Sequence, residues 1–220
     1  MGKTAIILGA TGLTGKLLLN RLLEDDAYET VKVFSRRVLG LNHPKLTEYL
    51  GDLLKLEEFK TDFTADEVFC CIGTTAKQTK DKSLYRKIDF GIPLAAARLC
   101  KKNRIESFLV ISALGANSAS KLFYNRTKGK MERAVLTQRI KNTYILRPSL
   151  IKGQRDEKRL GENIGAFLIK LTQVFLVGGL RKYRAIEAET IALAMYKLAQ
   201  LKPGYRIVES DKIQELGGAS

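Results

Sequence analysis

Thr4-Ala5-Ile6-Ile7-Leu8-Gly9-Ala10-Thr11-Gly12-Leu13-Thr14-Gly15 is the stretch that decides the fold. Its first residues form an apolar run, the pattern of a parallel strand buried on both faces. Leu13 to Leu23 reads as a helix, so the three glycines occupy a strand-to-helix turn. In that context a glycine pattern gains meaning. Gly9 permits the tight turn, Gly12 lets the backbone come close to a pyrophosphate, and Gly15 lets helix and strand pack closely. The helix start then offers N–H groups and a positive dipole end to that anion.

Some twenty positions on, a dinucleotide fold that takes NAD carries an acidic residue for the ribose 2′-hydroxyl. Here that place reads Ser35-Arg36-Arg37. Two guanidinium groups stand where a 2′-phosphate would lie, and arginine binds phosphate by paired, charge-assisted hydrogen bonds. NADP(H) is therefore expected in preference to NAD(H).

Outward from this turn, strands and helices alternate. Strands are predicted at Val31–Phe34, Leu46–Leu50, Glu67–Ile72, Ser107–Ser112, Thr143–Leu146 and Tyr205–Val208. Helices are predicted at Leu84–Lys101, with Pro93 kinking or restarting it, at Lys121–Arg139, around Gly165–Val177 and at Glu187–Gln200. Gln154–Glu162, dense in charge, is the most loop-like segment. The alternation predicts an α/β fold: a doubly wound, mainly parallel sheet of the Rossmann type with helices on both faces and a small C-terminal cap. Residues 1–220 are expected to form one domain: 1–148 the cofactor-binding core, 149–204 a small substrate cap, 205–220 the last strand and tail.

Composition narrows the partners. The 220 residues hold 38 Lys plus Arg against 23 Asp plus Glu, a net charge of +15, which invites polyanions. The charges recur along the whole chain, and no zinc-finger spacing or aromatic-basic pattern accompanies them, so no specific nucleic-acid partner is expected. Cys70, Cys71 and Cys100 lie in apolar runs and His43 is the only histidine, which leaves no disulfide framework and no metal site. No signal-peptide anatomy precedes the first strand, and the apolar stretch Ile164–Val177 is too short to span a bilayer. A reducing cytoplasm is the expected compartment.

Tyr124 and Lys128 form YxxxK, and positions i and i+4 share a helix face. A nearby ammonium favours the phenolate and suits a phenol to acid–base work. Together with Gly9–Gly15, Gly51-Asp52-Leu53, Cys71-Ile72-Gly73-Thr74-Thr75, Val110-Ile111-Ser112-Ala113 and Leu146-Arg147-Pro148-Ser149, this resembles the atypical short-chain dehydrogenase/reductases. More narrowly, Ser112–Asn117 followed by Phe123-Tyr124-Asn125-Arg126 is similar to the Tat-interacting oxidoreductase-like group and its small bacterial relatives. The resemblance covers about Ile6 to Ala199.

It implies that Thr11, Leu13 and Thr14 join the glycines around the pyrophosphate and that Asp52 and Leu53 meet the adenine. Cys71, Gly73 and Thr74 would lie along the cofactor, with Pro148 to Leu150 bordering the nicotinamide. Tyr124 would be the proton donor, Lys128 would also hold the nicotinamide ribose, and Ser112 would bond the substrate oxygen. Two departures stand out. Relatives with a complete proton relay carry Asn where this chain has Asp89, and the region after Pro148 is shorter than in sugar-nucleotide epimerases. The expected function is NADP(H)-dependent oxidation or reduction of a small alcohol or carbonyl. The alternative is an NADPH-binding regulator or scaffold with a protein partner. In relatives the helices at 84–101 and 121–139 often pair, which implies a homodimer.

Overall fold

In a computed structural model, residues 2–75, 78–152 and 178–218 are described. Seven strands form one sheet: β1 (Lys3–Leu8), β2 (Tyr28–Ser35), β3 (Leu46–Leu50), β4 (Glu67–Cys70), β5 (Ser107–Ile111), β6 (Asn142–Arg147) and β9 (Ile207–Glu209). All pair in parallel, in the order β3-β2-β1-β4-β5-β6-β9. Two short strands, β7 (Ile151–Lys152) and β8 (Ile186–Glu187), form a separate parallel pair.

The sheet carries helices on both faces because its strands are apolar on both. Ala5 and Ile7 pack with Leu18 and Leu22 of α1 (Leu13–Glu24) and with Met195 and Leu198 of α5 (Ala188–Leu201). Ile6 and Leu8 point the other way, against Ala96 and Cys100 of α3 (Ile92–Lys102) and Met131 and Val135 of α4 (Phe123–Leu136). Residues alternating sides along one strand thus found two cores. Truncating a fully buried leucine such as Leu18 costs about 2–5 kcal/mol.

Strand order reverses between β1 and β4, which opens a crevice beyond their C-terminal ends. The site loops gather there. A short helix, α2 (Lys82–Arg86), runs through a π-helical turn, Lys87–Gly91, into α3, whose first turn holds Pro93. The final helix, α6 (Ser210–Gly217), occupies what sequence reading took as a tail. The helix expected around Gly165–Val177 and the loop at Gln154–Glu162 lie outside the described residues.

Candidate functional site

The glycine turn has the shape of a cradle. Gly9 has φ +87°, and a Cβ there would lie 2.9 Å from the Cys71 carbonyl carbon, so only glycine fits. A Cβ on Gly15 would collide with the Gly9 carbonyl oxygen. Gly12 differs: its Cβ would meet only that oxygen, at 3.2 Å, and otherwise enter open space. Gly12 also caps α1 with no side-chain hydrogen bond, leaving the first-turn N–H groups to a ligand. Thr11, Gly12 and Leu13 are exposed, Thr14 buried. A cradle that a side chain would fill, at an uncapped helix start, fits a pyrophosphate.

At the end of β2, the Ser35 hydroxyl donates to the Arg37 carbonyl at 2.5 Å. Arg36 and Arg37 are exposed, and their side chains make no hydrogen bond or ion pair with any described residue. Beyond β3, the Asp52 carboxylate accepts from the Leu54 N–H at 2.9 Å and caps a 3₁₀ turn, Leu53–Phe59, with Leu53 buried beneath it. These groups share one end of the sheet with the cradle, since β2 and β3 lie beside β1.

The loop after β4 meets α4 at a buried ion pair. Asp89, on the π-helical turn, is wholly buried, and its Oδ1 lies 2.8 Å from Nζ of Lys128. That oxygen sits off the line of a hydrogen bond, so the contact is ionic; Nζ donates instead to the Ile111 carbonyl at 3.3 Å. Asp89 Oδ2 accepts the Thr74 N–H at 2.8 Å, and a Cβ on Gly73 would stand 3.8 Å from both Asp89 and Lys128. Cys71 places its thiol 3.8 Å from the Met195 sulfur. The loop expected along the cofactor and the lysine expected beneath the nicotinamide ribose therefore share one carboxylate.

Tyr124 lies at the first turn of α4 and remains 41% exposed. Its ring stands edge-on to Tyr85, 6.4 Å between centroids, and Tyr85 packs on Phe123 at 5.5 Å. Burial pushes the Tyr124 phenol above its ordinary value; the Lys128 ammonium pulls it down, and the Asp89 carboxylate raises it further.

Ser112, at the end of β5, turns elsewhere. Its buried hydroxyl donates to Glu132 Oε1 at 2.5 Å. Arg147 also grips Glu132, Nε at 3.0 Å and Nη2 at 2.6 Å, and reaches Glu209 at 2.8 Å. Ser112 thus gives its one proton to Glu132 and keeps only lone pairs. Pro148 is buried, its carbonyl accepting from the Leu114 N–H at 2.9 Å, while Leu150 is exposed. Sequence reading missed the Ser112–Glu132–Arg147–Glu209 network. The available signal was Glu132 one turn beyond Lys128 on the same helix face, a carboxylate with no cation yet assigned.

A Rossmann sheet with a glycine cradle at its crevice defines a dinucleotide-binding protein. The chain belongs to the NAD(P)H-binding family, which it matches over residues 9–163, and within it to the atypical short-chain dehydrogenase/reductases. It is 33% identical to the protein named "FMP52, mitochondrial" of Debaryomyces hansenii over 71% of this chain and 70% of that one. It is 31% identical to protein HTATIP2 of Rattus norvegicus over 73% of this chain and 67% of that one. Among solved structures, the Bordetella bronchiseptica enzyme WbmH in complex with NAD+ shares the fold, with TM-score 0.72 at 15% identity over 95% of this chain and 76% of that one.

The expectation of a cytoplasmic location is corrected by these relatives. The FMP52 proteins of several yeasts are named mitochondrial, which overturns that expectation. No helix among the described residues is long and apolar enough to cross a membrane.

Proposed function

We propose that this protein is an NADP(H)-dependent oxidoreductase that interconverts a small carbonyl and its alcohol, with Tyr124 as the proton-transferring group. One observation carries this reading. A partly exposed phenol stands one helical turn from a buried ammonium, which itself touches the loop beyond the switch-point strand β4. Arg36 and Arg37 support the choice of NADP(H), because two unengaged guanidinium groups suit a 2′-phosphate and would hold a bare ribose poorly.

In this reading Gly9, Gly12 and Gly15 shape the pyrophosphate cradle, lined by Thr11, Leu13 and Thr14. Ser35 fixes the arginine turn. Asp52 and Leu53 border the adenine. Cys71, Gly73, Thr74, Pro148 and Leu150 line the path toward the nicotinamide. When bound, the dinucleotide supplies the two-electron redox chemistry. Lys128 holds the nicotinamide ribose, and Tyr124 moves a proton at the carbonyl oxygen. Ser112 can place that oxygen only if Glu132 releases its proton.

That last contact favours a second reading, an NADPH-binding regulator in which chemistry has lapsed and a protein partner reads the bound state. The two separate in one assay, loss of nicotinamide absorbance over a panel of aldehydes, ketones and quinones. The oxidoreductase reading expects turnover that falls by ~10² or more in Tyr124→Phe, with NADPH affinity little changed. Binding without turnover of any substrate by the wild-type protein establishes the regulator.

A further inference from the structure

We propose that Asp89 is a positioning residue that offsets the charge of Lys128 and thereby keeps the Tyr124 phenol in its protonated form, the form that serves as the acid in carbonyl reduction. The inference rests on the oxidoreductase reading and assigns the resting protonation state of its acid.

The geometry carries it. In an isolated Tyr-x-x-x-Lys pair the ammonium is the dominant charge near the phenol and favours the phenolate. Here a fully buried carboxylate lies 2.8 Å from that ammonium, itself almost entirely buried, so water screens the pair little. The two fields oppose each other at the phenol, so Asp89 offsets part of the lysine's pull. Asp89 is itself fixed: its other oxygen holds the Thr74 N–H at 2.8 Å, and its backbone belongs to the π-helical turn Lys87–Gly91. Among the described residues no second cation restores the balance. The other titratable groups facing the pair are Tyr85 from α2, Tyr124 from α4 and Cys70 from β4. Burial pushes Tyr85 up and the Cys70 thiol up to about 12, so both stay neutral.

The chemistry balances with the phenol as acid. The carbonyl carbon gains a hydrogen with two electrons from the reduced dinucleotide, which is thereby oxidised. The C=O π bond breaks toward oxygen, and that oxygen takes the proton of Tyr124. The resulting phenolate regains a proton from water, which its 41% exposure admits directly. Reloading from bulk water removes the need for a relay through an asparagine, the residue that Asp89 replaces. Lys128 keeps its ribose-facing role, because Nζ donates to Ile111 and retains further protons.

The test is the ionisation of Tyr124 in the cofactor-free protein. It is followed by carbon NMR of ring-labelled tyrosine, the resonance being identified by its loss in Tyr124→Phe. In the wild-type protein the phenol should titrate above the ordinary tyrosine value near ~10. Asp89→Asn keeps the acceptor for Thr74 but removes the charge, and should lower that midpoint by about one unit or more. Asp89→Glu should leave it where it was. A wild-type phenol that titrates below the ordinary value overturns the proposal even if Asp89→Asn fails to fold, and so does an unchanged midpoint in a folded Asp89→Asn. Turnover is read separately. Reduction of the carbonyl panel should fall off at high pH as the phenol ionises, and that fall should move to lower pH by about one unit or more in Asp89→Asn. Absence of all turnover with the titration as expected refutes the oxidoreductase reading and leaves the charge offset standing.

Discussion

Arg36 and Arg37 are exposed at the end of β2, and their side chains have no partner among the described residues. A charge-assisted bond to phosphate contributes about 1.5–3 kcal/mol. Arg36→Ala or Arg37→Ala should therefore weaken NADPH binding roughly tenfold or more while NADH affinity barely moves, as calorimetry can read. Equal wild-type affinity for the two dinucleotides would dismiss the assignment. Glu132 answers a different need, since it is buried and joins Ser112 to Arg147. Glu132→Ala leaves the partly buried Arg147 guanidinium with Glu209 alone and should cost about 1–3 kcal/mol in urea unfolding. The arginines proposed to meet the cofactor can be named from the sequence because they stand at a fixed offset from the glycine turn. The partners of Lys128 and Ser112 were not, because Asp89 and Glu132 reach them through tertiary packing that no spacing encodes. Asp89 was visible only as a departure from asparagine.

The strand-turn-helix unit lends itself to a paired experiment. Gly12→Val places its side chain in the open cradle, so the protein should fold, by circular dichroism, and lose dinucleotide binding. Gly15→Val drives a side chain into the Gly9 carbonyl and should prevent α1 from seating, so the fold itself weakens. If both variants fold and bind alike, the turn is no cradle. The regular elements were read well wherever apolar pattern and burial coincide: Leu46–Leu50 and the start of α1 fall where the sequence puts them. Pro93 correctly marked a restart, because its ring excludes the preceding hydrogen bond. The π-helical turn before it escaped notice, since one extra residue in a helical turn leaves no compositional trace. Helix α6 escaped because Ser210–Gly217 is short and mostly polar. Its contribution to packing is the buried Ile213.

The molecule as a whole buries phenols and so keeps them neutral to higher pH than in water. Tyr28 is fully buried, its hydroxyl donates to Glu67 at 2.7 Å, and burial, followed by the charge of that carboxylate, drives it far above its usual value. Tyr85 and Tyr124 are raised mainly by burial. A phenol whose folded value exceeds its unfolded one contributes stability in full below the unfolded value, near pH ~10, and loses it as pH rises further. The melting temperature should accordingly hold through neutral pH and fall steeply above about pH 10. A flat profile to pH ~11 would show that these phenols stay accessible in the folded state.

The last strand, β9, closes the sheet beside β6, and the Arg147–Glu209 bond that seals it joins positions 62 residues apart. A ribosome delivers the chain from its N-terminus at about 5–20 residues per second, so β6 emerges roughly 3–12 seconds before its neighbour exists. Through that interval the strand presents a row of unpaired backbone groups, and the Ser112–Glu132–Arg147 network waits for its final carboxylate. Such a nascent edge can pair with another chain as readily as with its own. Synthesis of this protein therefore contains a timed exposure that favours chaperone attention. A chain stopped before residue 205 never leaves it and should accumulate in the insoluble fraction when expressed.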